Sequence, residues 1–244
     1  MEKKDWRMRT IPLPVRGPRM AVIHDRHLFV TSYNDSCLVR MPWPACDRED
    51  GRVTVHRPRG LVLCHGLLYV ACYGNPKGRI VAIDPTTLQI RHSFDAFRPR
   101  GIGHWQGRIL VTEVNRGRVV AYSPRGRVVR TWVGFHEPRD LCVVGDSMLV
   151  ADTGHHRIVR VHLSTSRVEE MVSVPRPNGV ASDGHSLVVT QWNAGIVSLW
   201  DSCRHWRMTL TTPAMVSQTA NSYLICDAAT DRIHVLGTER QSLV

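Results

Sequence analysis

Four arginines recur in the same local setting. Each follows a proline that opens an apolar run: Pro18-Arg19, Pro58-Arg59, Pro99-Arg100 and Pro138-Arg139. Two further prolines open such runs with Asn178 and Ala214 in the arginine's place. A guanidinium binds carboxylate or phosphate through two parallel hydrogen bonds and stacks on flat rings. Polar turns nearby in the pattern carry Tyr33, Tyr73, Lys77, Asn115, Arg116, His155, Trp192 and Asn193. Cations neutralise phosphates, aromatic faces accept splayed bases, and amides read base edges. These groups act together only if the chain gathers them on one face.

The elements that would do so are repeated. The opening prolines are 18, 58, 99, 138, 177 and 213, so the unit recurs about every 40 residues. After each proline comes a short apolar strand, a tight polar turn, a second apolar strand (LFVTS, LLYVACY, RILVTEV, MLVADT, LVVTQW, YLICDA), another turn and a third strand. Complete units add a fourth, as in RVVRTWV. Val, Ile and Leu runs bounded by Gly, Asn, Asp, Ser and Pro are strand-and-turn signals, and no sustained helical period appears. Second strands that are apolar throughout read as buried on both faces. Six four-stranded antiparallel units predict an all-β, six-bladed propeller occupying residues 1–244 as one domain. The last unit lacks an outer strand. Residues 5–13 contain Trp6-Arg7-Met8, which matches Trp206-Arg207-Met208 in the fourth strand of unit five, and are expected to supply it. The competing source is the tail GTERQSLV.

Lys plus Arg number 32 against 21 acids, a net charge of +11; only Lys3, Lys4 and Lys77 are lysine. This suits an anionic partner, although a coding bias toward arginine accounts for the excess equally well. The seven cysteines form no CxxC and sit mostly in apolar runs, which reads as reduced thiols in a cytoplasmic or nuclear setting rather than disulfides or a zinc cluster. No apolar run reaches the roughly 20 residues of a membrane helix. Basic residues at the N-terminus lack the apolar stretch that would make them a secretory signal.

The stretch PRDLCVVGDSMLVADTGHHRIVRVHL, residues 138–163, resembles an NHL repeat. PRGLVLCHGLLYVACYGNPKGRIVAID and PRGIGHWQGRILVTEVNRGRVVAYS do so nearly as well, and the resemblance covers about residues 18–236. The resemblance implies a ring in which the strand-one lead-ins and the strand-two to strand-three turns share one rim. Its relatives include RNA-binding NHL domains, extracellular sensor domains, peptidyl amidating lyase, streptogramin lyase, and the more distant gluconolactonase and strictosidine synthase groups. The fold therefore does not fix function. Gluconolactonase-like enzymes hold a divalent cation with Glu, Asn and Asp at the lead-ins, and amidating lyases use histidines there to bind zinc. Here only Asn178, in RPNGVASDG, matches. Arginine offers a cation no ligand, so no metal or other cofactor is expected. His24, His27, His65, His104 and His185 fall in the turns of the opposite rim.

Acids ending strand two face arginines five residues on: Glu113–Arg118, Asp152–Arg157 and Asp227–Arg232. These read as framework ion pairs; Cys72 and Gln191 replace the acid in units two and five. His155-His156 reads as a polar turn tip that could still touch a partner. Taken together, the residues predict a non-enzymatic, monomeric module that binds single-stranded RNA or DNA on the rim through Arg19, Arg59, Arg100, Arg139, Tyr33, Tyr73, Lys77, Asn115, Arg116, His155, Trp192 and Asn193. The alternatives are a scaffold for an acidic protein partner and a metal-dependent lyase or lactonase-like enzyme.

Overall fold

A computed structural model describes residues 6–238 of the chain. Asp5, at the start of the expected closing segment, and residues 239–244 of the tail lie outside the described residues. The structure contains six four-stranded antiparallel sheets, each built from consecutive strands except the last. The inner strands are Pro18–His24, Pro58–Cys64, Pro99–Trp105, Pro138–Val144, Gly179–Ser182 and Pro213–Gln218. Each touches the next, and the sixth touches the first, so the ring is closed. The expected six-bladed propeller is the observed fold.

Closure comes from the N-terminal side. Trp6–Pro12 pairs antiparallel with Arg232–Thr238 along its whole length, Trp6 opposite Thr238 and Pro12 opposite Arg232. The loop that follows is tied down as well: Gly17 N donates to Asp231 Oδ1 at 2.8 Å, and Leu13 N to Asp231 O at 2.9 Å. Ile11, Leu13 and Val15 pack with Leu28, Val30, Leu224, Ile233 and Val235 in one core cluster. That cluster joins the last blade to the first.

Burial follows each strand's place between blades. Second strands such as His27–Ser32 and Ser147–Asp152 are buried at every position but the first, because a neighbouring blade covers each face. Outer strands such as Val128–Val133 are mostly exposed. All seven cysteines are free thiols; five are buried, Cys142 is half-buried, and Cys203 is exposed, contrary to its reading as a small core hydrophobe. Among the described residues no helix is long and apolar enough to cross a membrane.

Ile11 is the side chain through which the closing strand enters the core, with 4 % of its surface exposed. Ile11→Ala is expected to lower unfolding free energy by about 3 kcal/mol, read from urea denaturation; a change under about 1 kcal/mol would mean that this strand does not close the ring.

Candidate functional site

The arginines are aimed by a backbone irregularity that recurs with the unit. In blades one to four and six, pairing between the inner and second strands slips just after the opening proline. Arg19, Arg59, Arg100 and Arg139 therefore fall outside the ladder, at β-bulges, which redirect side chains. Thr31 and Thr190 on second strands, and Thr153 in the turn that follows one, fix the lead-ins across blade boundaries. Thr31 Oγ1 donates to Arg59 O at 2.7 Å, Thr153 Oγ1 to Pro177 O at 2.6 Å and Thr190 Oγ1 to Ala214 O at 2.5 Å.

Glycines then let neighbouring inner strands meet backbone to backbone. A Cβ on Gly60 would lie 2.5 Å from Arg100 O, and one on Gly101 would lie 2.5 Å from the Cα of Asp140. The ring is consequently narrow at this level, and the side chains one residue earlier crowd one opening. Trp192, Arg19, Tyr33, Arg59 and Tyr73 form an alternating stack. Arg19 lies 4.4 Å from the Trp192 ring centre and 4.8 Å from that of Tyr33; Arg59 lies 4.7 Å from Tyr33 and 4.9 Å from Tyr73. Each such contact contributes about 0.5–2 kcal/mol, the larger values where water is excluded.

Arg100 reaches across the opening instead. Its Nη2 donates to Asn178 Oδ1 at 2.6 Å, from blade three to blade five. Asn178 in turn donates to Ala214 O at 2.7 Å. Burial pulls Arg100 well below the ordinary arginine range, and Arg59, Arg139 and Arg19 add to the pull. Burial also lowers Arg19, to about 10, with Arg59 the next cause; Arg59 and Arg139 shift the same way through burial. A guanidinium does not release its proton in a protein. The four therefore stay charged although burial, and for Arg100, Arg19 and Arg139 the neighbouring guanidinium groups, oppose the charge. The Nε of all four arginines is buried without a hydrogen-bond partner. Glu137 is the one carboxylate among the described residues within ion-pair distance of the four, 3.6 Å from Arg139.

Asp140, which with Glu113 and Asp152 is one of the acids near enough in sequence to offset the arginine charge, belongs to the arrangement. It occupies the level held by Gly60 and Gly101 in the preceding blades. It is fully buried, its Oδ2 accepts from Val180 N at 3.1 Å, and its Oδ1 is unpartnered. Burial pushes its carboxyl up to about 8.

The framework acids behave as expected in blades three and four. Arg118 Nε donates to Glu113 Oε2 at 2.7 Å and Arg157 Nε to Asp152 Oδ2 at 2.9 Å. Each acid also holds its own blade's lead-in, through Phe97 N at 3.2 Å and His136 N at 2.7 Å. Asp227 is satisfied by Thr211 N and Thr212 N and by the Thr212 hydroxyl. His155 Nδ1 lies 2.9 Å from Asp152 Oδ2, and its half-exposed ring meets that of His136 edge-on at 5.4 Å. His156 has φ of 58°, the left-handed conformation of the turn tip, and its Nδ1 accepts from Arg176 N.

Not every predicted rim residue joins the cluster. Arg116 folds back over Phe97 at 4.0 Å and lies 3.8 Å from Glu113. Lys77, Asn115 and Asn193 are exposed residues of the turns. The cation site of the lactonase-like relatives does not fit either: Arg100 already takes the Oδ1 of Asn178, and four of the lead-in positions carry guanidinium groups. Among the described residues no group of three or more His, Cys, Asp or Glu is placed to hold a metal ion.

Several solved structures share this fold. Virginiamycin B lyase from Staphylococcus aureus is 14 % identical, with a TM-score of 0.66, covering 96 % of this chain and 99 % of that one. A catalytically inactive histidine-to-alanine form of the same lyase with quinupristin has a TM-score of 0.70 at 14 % identity, covering 96 % and 99 %. Hydrazine synthase from Kuenenia stuttgartiensis has a TM-score of 0.64 at 14 % identity, covering 88 % of this chain and 75 % of that one. No family model matches the chain, and no curated protein matches it.

These findings overturn the expected nucleic-acid module. The neighbours named are enzymes, and the rim is built differently from what base stacking needs. Tyr33, Tyr73 and Trp192 are already in contact with Arg19 and Arg59. The arginines in turn point into a narrow opening rather than along a groove, and an extended phosphate backbone cannot follow them there.

Asp140 gives the site a measurable signature. Its carboxyl rises from the ordinary 3.8 to about 8 on folding. The folded state thus favours the protonated form, and stability is lost as pH rises through that interval. Asp140→Asn keeps an oxygen for Val180 N and removes the titration. The variant's stability relative to the parent is expected to grow steadily from pH 4 to pH 8 in urea titrations; a constant difference would show an ordinary carboxylate.

Proposed function

We propose that this rim is the substrate site of a lyase-like enzyme acting on a small organic anion, whose carboxylate or phosphate is received by Arg19, Arg59, Arg100 and Arg139. The observation that carries this reading is the set of four converging guanidinium groups with unpartnered, buried Nε atoms. A compact anion fits where a polymer does not. We read the repeat itself as NHL-like, on the Pro-Arg-Gly openings at 58–60 and 99–101.

His155 is the base in this reading. Asp152 fixes its Nδ1 at 2.9 Å and leaves Nε2 to accept a proton. The proton comes from the carbon beside the substrate's carboxylate. The C–H electron pair forms a double bond to the neighbouring carbon, and the leaving group departs with its bonding pair. His155 then returns the proton to the leaving group. Charge that builds on the carboxylate in between is stabilised by guanidinium groups set in place before reaction. Loss of a histidine inactivates the neighbouring virginiamycin B lyase, which supports a histidine in this role. No step passes through a metal ion.

Oxalate, a planar dianion resembling the intermediate, is the test ligand for calorimetric titration. The parent protein is expected to bind it saturably. Arg100→Gln should weaken binding about tenfold or more, the loss of one charge-assisted contact, while His155→Ala should leave affinity within about twofold because the base does not hold the anion. Absence of binding, or equal binding by Arg100→Gln, would refute the site.

A further inference from the structure

Below the arginine level the axis opens into a second compartment. Its volume is about 280 Å³, and it is lined by Met20 and Val22, Leu61 to Leu63, Ile102 to His104, Leu141 to Val143, Ala181 and Ser182, and Val216 to Gln218. All six blades contribute, and none of the four rim arginines does. The compartment faces the rim that carries the strand-one to strand-two turns, away from the site proposed above.

We infer that this chamber binds a compact, uncharged organic molecule with an apolar body and at least one hydrogen-bonding group. The wall chemistry leads to that class. No charged side chain lines the chamber. His104, at its margin, is held below the ordinary histidine range by burial and by His65, so it is neutral near pH 7. An ion entering here would give up hydration with no opposite charge to replace it. Each inner strand pairs with its blade on one side only, so its other edge turns backbone N–H and C=O groups toward the axis. Those edges offer donors and acceptors between the alkyl groups of Val22, Leu63, Val143 and Val216. The hydroxyls are already committed as donors: Ser182 Oγ to Ser186 O at 2.7 Å and Ser217 Oγ to Ala21 O at 2.5 Å. A ligand therefore meets backbone polarity at fixed positions, the side chains of His104 and Gln218, and apolar surface elsewhere, the usual make-up of a small-molecule site. The volume falls just below the roughly 300 Å³ at which such sites begin, which limits the occupant to a small molecule.

The test uses Prodan, a neutral dye whose emission shifts to the blue in apolar surroundings. The intact protein is expected to bind it saturably, one molecule per chain, with a blue shift. Val22→Trp and Val143→Trp fill the chamber, and each should weaken binding at least tenfold. His104→Trp narrows its exposed margin without touching the core and should also weaken it, which keeps the test open if a filled variant fails to fold. Oxalate at saturation and the Arg100→Gln change should leave dye binding unaltered, so failure of the rim site and failure of this one are separable. The inference is overturned if binding does not saturate, or if the folded variants bind as the parent does.

Discussion

The approach of neighbouring inner strands at Gly60 and Gly101 sets the diameter of the ring, and the rest of the site follows from that diameter. A Cβ at either position would strike the next blade's backbone at 2.5 Å. Packed interiors have little slack for such a shift. With the strands this close, residues that follow the opening prolines have nowhere to go but the axis. The β-bulge after each proline then turns a side chain that would otherwise lie on a sheet face into the opening. Four like charges are gathered by backbone geometry rather than by any attraction among themselves.

Such gathering is unfavourable unless something offsets it. Three devices do so, each with a different reach. Tyr33, Tyr73 and Trp192 present ring faces to Arg19 and Arg59, so each guanidinium has a partner without a carboxylate. Asn178 takes Arg100 by a neutral acceptor at 2.6 Å. Glu137 alone brings a formal negative charge, to Arg139. Rings and amides hold cations in place without cancelling them, and the positive potential survives at the opening. Full neutralisation by acids would have given a stable ring with nothing left to bind a ligand.

The architecture was legible from sequence because it is periodic: a proline about every 40 residues, and second strands apolar throughout, report blades sandwiched between neighbours. Even closure by the N-terminal strand could be read, since Trp6-Arg7-Met8 repeats Trp206-Arg207-Met208. What the arginines share an opening with was only half legible. The aromatic residues were correctly placed on the same rim, but their faces were assigned to an outside partner when they belong to the arginines. Sequence spacing within a blade shows which residues reach one rim. It does not show a contact such as Arg100 to Asn178, which skips blade four, or Trp192 to Arg19, which passes over blade six. Trp192 packs against the cluster that holds Ala214 and Ala228, a contact that appears only when the ring is closed. Arg116 shows the opposite error: a basic turn residue on the right rim folds back onto Phe97 and Glu113 of the framework.

Asp140 is where the two halves of the axis meet. Above it lie the guanidinium groups, below it the uncharged chamber. Glycine at this level in blades two and three keeps the waist narrow, and the aspartate fills the same level in blade four with a carboxyl that burial favours in its neutral form. A neutral acid there leaves the guanidinium charges uncancelled from this side. The balance is set by desolvation, which opposes ionisation, against the backbone N–H groups of Val180 and Leu141 and then Arg100, which promote it. Desolvation wins because the carboxyl is completely buried. The waist thus divides one continuous channel into a compartment that demands negative charge and one that excludes any charge, and a single chain presents two chemically distinct openings on opposite faces.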